Sequence, residues 1–349
     1  MRKKSYLYKA GLFLMVLMVV AGITVSVMLY RMIYAPNVFL EDREHTFIFI
    51  PTGSTYEEVK ELLQESSFVV NMRTFDRLAQ RKNYPNRVMP GRYLIQNRLS
   101  NNELINLLRS GAQTPVRITF TNIRTEEELA GNLAAQLEVD SLELLRQLRD
   151  PENISQAGLS TPTIKILFIP NTYEVYWTIS ASALIERMQR EYQAFWTASR
   201  RELAERMGLN PEEVVILASI VQSETNKSDE MPRIAGVYVN RLRRNIPLQA
   251  DPTVVYALGD FSINRVLNEH LAIDSPYNTY KYRGLPPGPI NLPEPATIDA
   301  VLNFEEHDYI YFSASPDFSG YHVFARTYRE HLRNARLYQQ ALNERRIFR

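Results

Sequence analysis

From Gly11 to Leu29 the chain reads GLFLMVLMVVAGITVSVML, with no charged residue. An uninterrupted apolar run of this length limits the fold more than any other feature of the sequence. At 1.5 Å per residue a helix over it reaches about 30 Å, the thickness of a bilayer's hydrocarbon core. Arg2, Lys3, Lys4 and Lys9 precede the run, and the positive-inside rule then places the short N-terminal tail in the cytoplasm. Tyr6, Tyr8, Tyr30 and Tyr34 flank it, where interfacial aromatics are expected. A cleaved signal peptide shares the charge asymmetry, but its apolar region spans about 7–15 residues and ends at a small-x-small site. Here the run is longer and leads into Met28, Leu29, Tyr30 and Arg31. The expectation is an uncleaved single-pass anchor over 10–34 after a cytoplasmic tail over 1–9, with the rest of the chain outside the cytoplasm.

The remainder of the 349 residues leaves room for two or three domains. Hydrophobic residues make up 45%, enough for a substantial core. Charge is balanced, 40 basic against 39 acidic residues, which argues against nucleic acid as a partner. The absence of cysteine excludes disulfides, zinc-thiolate sites and a thiol nucleophile. The five histidines show no HExxH pairing, so a metal site is not expected. Tyrosine is abundant, at 20 residues, which suits sugar binding and ordinary strand packing alike.

After a polar spacer over 35–44, the alternating run His45–Ile50 reads as a strand closed by the turn Thr52-Gly53-Ser54. Ser54 is placed to cap a helix through Glu57 or Glu58, with Val59, Leu62 and Leu63 as its apolar stripe. A second helix is expected over 72–81 and a strand over 91–95. Ser100 to Glu103 opens another helix, with Leu104, Leu107 and Leu108 on one face, ending near Gly111. Residues 115–120 give a further strand. Residues 45–120 thus form a small α+β module. From about 124 to 209 the pattern is helical and amphipathic, interrupted by Ile169-Pro170-Asn171-Thr172-Tyr173.

The segment 210–225 is the informative one. Asn210 is a good N-cap, Pro211 fits the first helical position, and Glu212 and Glu213 suit the positive end of the dipole. At 100° per residue, Glu224 falls between Ile220 and Val221 and in line with Leu217, at the end of a buried stripe. A buried carboxyl without a cation beside it holds its proton toward neutral pH, as protonation of a glycosidic oxygen requires. The competing reading is an ion pair with Arg233 or Arg241.

Downstream, Val237–Leu242 reads as an apolar helix. Gln249, Asp251 and Thr253 cluster beside a hydrophobic run, either in a solvent loop or as partners for sugar hydroxyls. The Gly- and Pro-rich segment 284–290 stiffens the loop after Tyr277, Asn278 and Tyr280, a plausible wall of a carbohydrate cleft. Residues 309–314 and 322–324 read as two strands of a hairpin.

The segments ASIVQSET, NRL, LQADPTVVYALG, SPYNTY with GLPPGPI, and YIYFSA followed by GYHVFARTYREH together resemble the YceG-like endolytic murein transglycosylases, in order and spacing. The resemblance runs from the anchor to the C-terminus. It implies a LysM-like module over 45–120 and a mixed α/β lytic transglycosylase domain over 121–349, an α+β chain overall. It implies Glu224 as the catalytic acid and base, Gln249, Asp251, Tyr277, Asn278 and Tyr280 as substrate-binding groups, and a reaction that needs no metal or cofactor. Peptidoglycan glycan strands are the implied substrate, cut between N-acetylmuramic acid and N-acetylglucosamine to leave 1,6-anhydro ends and terminate nascent strands. Penicillin-binding proteins and other cell-wall synthases are the implied partners, and the cell (inner) membrane the implied location. The first acid of the family's Glu-x-Glu motif is Gln222 here, and its Pro-Asp-Thr-Tyr reads Pro170-Asn171-Thr172-Tyr173. The alternative is a catalytically inactive peptidoglycan-binding scaffold, with Gln222 as its symptom.

Overall fold

The computed structural model describes residues 2–263 and 265–345. It mixes helices and strands in two compact units, one running to Arg117 and including Glu174–Thr178, the other Ile118–Tyr173 and the chain from Ile179 onward.

The first unit begins with α1 (Arg2–Tyr34), whose stretch from Tyr8 is long and apolar enough to cross a membrane. It continues through β1 (His45–Ile50), α2 (Tyr56–Glu65), α3 (Met72–Arg81), β2 (Gly91–Gln96) and α4 (Asn101–Ser110). β1 and β2 pair antiparallel, Phe47 opposite Leu94. Phe75, Tyr84, Tyr93 and Ile95 fill the core between sheet and helices. The cap of α2 lies one residue later than the sequence suggests. Thr55, not Ser54, accepts from the Glu58 amide, and Glu58 accepts in return from the Thr55 amide at 2.6 Å. Both registers satisfy a capping box; burial of Tyr56, Val59 and Leu63 selects this one. At α4 the expected box between Ser100 and Glu103 forms, and the helix ends at Gly111 with φ 71°.

Residues 35–44, read from the sequence as a polar spacer, run through this unit instead. Val38 and Leu40 are buried, and Pro36 and Val38 bridge to Ser100 and Val69. The Asn101 side chain donates to the Met32 carbonyl at 2.9 Å, so the end of α1 is bonded to the module. Composition hides this, because the contacts come from alternate residues of a short extended stretch.

Strands β3 (Val116–Thr119) and β4 (Thr172–Val175) carry the chain into and out of the second unit. Its helices are α5 (Glu126–Ala134), α6 (Ser141–Leu148), α7 (Pro151–Ala157), α8 (Ala181–Phe195), α9 (Ala198–Met207), α10 (Pro211–Glu224), α11 (Met231–Arg243), α12 (Asp251–Leu258) and α13 (Pro295–Leu302). The hairpin β5 (Tyr311–Ala314) and β6 (His322–Ala325) pairs Phe312 with Phe324, and α14 (Tyr328–Glu344) follows. The centre of the unit is α10. Every residue from Val214 to Val221 is buried, so neighbours surround the helix on all sides. Asn210 caps the helix as expected, and Glu213, read from the sequence only as suiting the dipole, closes a capping box with it around Pro211.

Candidate active site

Helix α10 stops at Glu224 because Thr225 turns extended, at φ −146° and ψ 145°. The Thr225 hydroxyl donates to the buried Glu230 carboxylate at 3.3 Å, and Glu230 also bonds the backbone amide and Nδ1 of His322, each at 2.7 Å. The last residue of α10 is therefore fixed from behind. In front, the Tyr238 hydroxyl donates to Glu224 Oε1 at 2.6 Å. Burial pushes the Glu224 carboxyl up to about 7, and the nearby Asp251 charge adds to the rise. The Tyr238 hydrogen bond and the more distant Arg241 charge pull the other way without cancelling it.

Neither arginine considered from sequence forms an ion pair with Glu224 among the described residues. Arg233 pairs with Glu305 at 2.9 Å. Arg241 is buried, and its guanidinium is taken up by the carbonyls of Ile310, Pro247 and Leu248 and by Gln249 Oε1.

Two cavities meet at this carboxyl. The larger, about 800 Å³, runs past Arg124, Asn226, Tyr256, Phe261 and Asn291. The smaller, about 330 Å³, is lined by Tyr238, Gln249, Tyr280, Tyr311 and His331. Glu224 and Asp251 are the two residues common to both linings.

The other residues named from the motifs gather here in different roles. Asp251 opens α12 instead of lying in a loop, and the Tyr280 hydroxyl donates to its Oδ1. The Asp-Pro pair at the helix start was the available signal. Gln249 is exposed and held at φ 52°, its amide bonded to the Thr279 carbonyl at 3.1 Å. A non-glycine residue in that region costs backbone energy and recurs at functional sites. Asn278 is fully buried; its amide group donates to Leu271 and Ile273 carbonyls at 3.0 and 2.9 Å and accepts from the Tyr280 amide. Asn278 thus shapes the loop that presents Tyr280. The Tyr277 ring lies 4.7 Å from that of Tyr256 and backs the larger cavity through it. The Gly/Pro loop is strapped to α10, the Ile290 amide donating to Ser219 Oγ at 3.0 Å. At Gly288 a Cβ would stand 2.4 Å from the Pro162 carbonyl oxygen, so only glycine fits that approach.

Gln222 lines the larger cavity and also bonds the start of another helix. Its Oε1 accepts from the Glu294 amide at 2.7 Å and the Thr297 hydroxyl at 3.0 Å, capping the start of α13. Asn171 is exposed, bonds the next amide at 2.8 Å and lines neither cavity. Sequence reasoning missed Tyr238 and the whole of α14, which brings Tyr328 and His331 to the smaller cavity. The Thr327–Glu330 capping box was the readable sign of α14. Tyr238 gave no sign, because its contact with Glu224 exists only once α11 folds back on α10. Among the described residues no cluster of His, Asp or Glu is arranged to hold a metal ion.

Fold and site together define an open cleft protein with one proton-holding carboxyl where its cavities join. Residues 48–337 match the YceG-like family, and the chain belongs to it. An endolytic murein transglycosylase of Streptococcus pneumoniae is 28% identical over 324 residues, covering 84% of this chain and 58% of that protein. The chain thus spans less than two thirds of that relative's length. An endolytic murein transglycosylase of Bacillus subtilis is 27% identical over 312 residues, 85% of this chain and 86% of its own. The 2.6 Å crystal structure of a YceG-like protein from Listeria monocytogenes matches with a TM-score of 0.56 and 25% identity, covering 83% of this chain and 98% of that one.

Proposed function

We propose that this chain is a membrane-anchored endolytic murein transglycosylase in which Glu224 acts first as acid and then as base. The observation that carries the reading is the half-buried Glu224 carboxyl at the junction of two cavities, raised to about 7. A polymer entering by one cavity and leaving by the other passes over that group, which suits a cut within a strand. The names of the relatives supply the substrate class.

In the first step Glu224 gives its proton to the oxygen joining C1 of N-acetylmuramic acid to N-acetylglucosamine. The C1–O bond breaks, its electron pair goes to the leaving oxygen, and C1 becomes oxocarbenium-like. In the second step the muramoyl 6-hydroxyl attacks C1 of its own sugar and returns its proton to Glu224. No water is consumed, because the nucleophile is already tethered in reach. Gln249, Asp251 and Tyr280 face the sugar, Tyr277 supports Tyr256, and Asn278 sets the loop.

The module over 45–120 serves as a LysM-like contact for glycan, held against its anchor by Asn101. With the N-terminus in the cytoplasm, cleavage takes place outside the cell (inner) membrane, beside the penicillin-binding proteins and other synthases that extend nascent strands.

Mass spectrometry of peptidoglycan digested by the detergent-solubilised full chain, wild type beside Glu224→Gln, tests this. Anhydromuramoyl ends that disappear in the variant are expected. Hydrated reducing ends would instead indicate a muramidase using Asp251 as second carboxylate. No product from folded wild type would leave a binding scaffold.

A further inference from the structure

Glu224 and Asp251 are the two residues that line both cavities, so the strand passing one carboxyl passes the other. Each is held by a tyrosine hydroxyl, Glu224 by Tyr238 and Asp251 by Tyr280. Their surroundings differ in sign. Glu224 closes α10, at the negative end of the helix dipole, while Asp251 opens α12, at the positive end of its own. Asp251 is exposed, and no cation pairs with it among the described residues.

We propose that Asp251 is a second catalytic carboxylate, whose fixed negative charge stabilises the positive charge that develops at C1 as Glu224 gives up its proton. This rests on the assignment of Glu224 above. In the resting cleft the Asp251 charge opposes ionisation of Glu224 and so keeps the acid loaded. Once the proton has left, two carboxylates flank a cationic sugar carbon, and the repulsion between them is offset by attraction to it. Asp251 forms no bond and takes no proton; the 6-hydroxyl remains the nucleophile. The role differs from holding a hydroxyl group, because it appears in the transition state and not in binding.

Other charged and ionisable groups line the two cavities that meet at Glu224. In the smaller cavity these are Tyr238 and Arg241 from α11, Tyr280, Tyr311 from β5, and Tyr328 and His331 from α14. The larger cavity adds Arg124, Tyr256 and Glu294. Asp251 is the one carboxylate whose charge raises the Glu224 pKa.

The test is steady-state cleavage of uncrosslinked glycan by the full chain in detergent, as a function of pH, for wild type, Asp251→Asn, Asp251→Glu and Tyr280→Phe. For Asp251→Asn, kcat is expected to fall about 10²-fold, with KM within about 3-fold and anhydro ends still the product. The high-pH limb of kcat/KM moves to lower pH, because the charge that kept Glu224 protonated is gone. Asp251→Glu and Tyr280→Phe keep a carboxylate, so their limbs stay near wild type while kcat drops less. A raised KM with unchanged kcat and an unmoved limb in Asp251→Asn would overturn the proposal in favour of sugar holding. Should Asp251→Asn fail to fold, as judged by thermal melting, Asp251→Glu decides: a limb shifted as far as loss of charge predicts overturns it. Absence of anhydro ends from wild type, or their persistence in Glu224→Gln, counts against the Glu224 assignment itself and is separable from every Asp251 outcome.

Discussion

The C-terminal end of α10 and the N-terminal end of α12 each present a carboxyl to one cleft, yet the two are built to hold different charges. Glu224 follows eight buried positions and shares their shielded surroundings, with a phenol as its hydrogen-bond donor. Asp251 stands exposed at the start of its helix, beside Pro252. The same functional group is a shielded proton store at one helix end and an exposed, tyrosine-bonded carboxyl at the other, and environment makes the difference. A one-carboxyl reading of the sequence misses the pairing because the two acids belong to segments joined only by tertiary packing.

The largest effect that sharpens this contrast is on Glu224. Glu224→Gln should reduce turnover about 10³- to 10⁴-fold, within the range of a lost general acid and base. The same variant tests the proton store without any substrate. Below about 4.5 Glu224 is protonated in folded and unfolded chains alike, so pH has little leverage on the difference between the two proteins. Between about 4.5 and about 7 the unfolded chain ionises while the folded site holds its proton, so wild type loses stability relative to the variant as pH rises. Above about 7 the deficit is complete, at most about 3.5 kcal/mol at about 1.4 kcal/mol per pKa unit. Denaturant melts of both proteins at pH 5 and pH 8 measure it. A constant difference across that range would mean that Glu224 is no more shielded than an ordinary carboxylate.

A smaller effect is expected from Tyr238→Phe, and its direction is diagnostic. The Tyr238 hydroxyl stabilises the ionised form of Glu224, so losing it raises the Glu224 pKa further. The high-pH limb of kcat/KM should then move to higher pH, opposite to the shift expected for Asp251→Asn. Turnover should fall about 10-fold, since the carboxylate left after proton transfer loses a charge-assisted hydrogen bond of about 1.5–3 kcal/mol. Equal limb shifts in both variants would show that the cleft responds to general loosening and not to two opposed influences.

What was legible in the sequence follows physical range. The apolar run of α1 and the Asn210 cap with Pro211 behind it are local patterns and appear as read, while the stripe leading to Glu224 proves to be part of a helix buried all round. Ser54 and Thr55 offered equivalent caps three residues before Glu57 and Glu58, and only the packing of Val59 and Leu63 separates them. Residues 35–44 looked polar enough to be a linker, and Asn37 contributes to that impression. Its side chain is in fact buried, donating to Asn101 Oδ1 at 2.6 Å. Tyr238 lies 14 residues from Glu224, on another helix, and nothing in either segment announces the other.

The smallest effect concerns position 222, where Gln222→Glu, which installs the acid that the resemblance leads one to expect there, should change turnover by less than about 3-fold. The side-chain oxygen of Gln222 accepts from the Glu294 amide and the Thr297 hydroxyl at the start of α13, and a carboxylate oxygen accepts the same bonds. A negative charge there is favoured by the helix end it caps, which offsets the lost donor to the Leu292 carbonyl, a long bond at 3.4 Å. Gln222→Ala, in contrast, leaves the Glu294 amide without its side-chain acceptor and should lower stability by about 1 kcal/mol, as the loss of a helix cap does. Its loss of activity should be no larger than that destabilisation explains. Turnover at saturating glycan, measured for both variants beside their melting temperatures, separates the cases. A rise of tenfold or more in Gln222→Glu would mean that position 222 acts on the cleft chemistry and not only on the packing of α13.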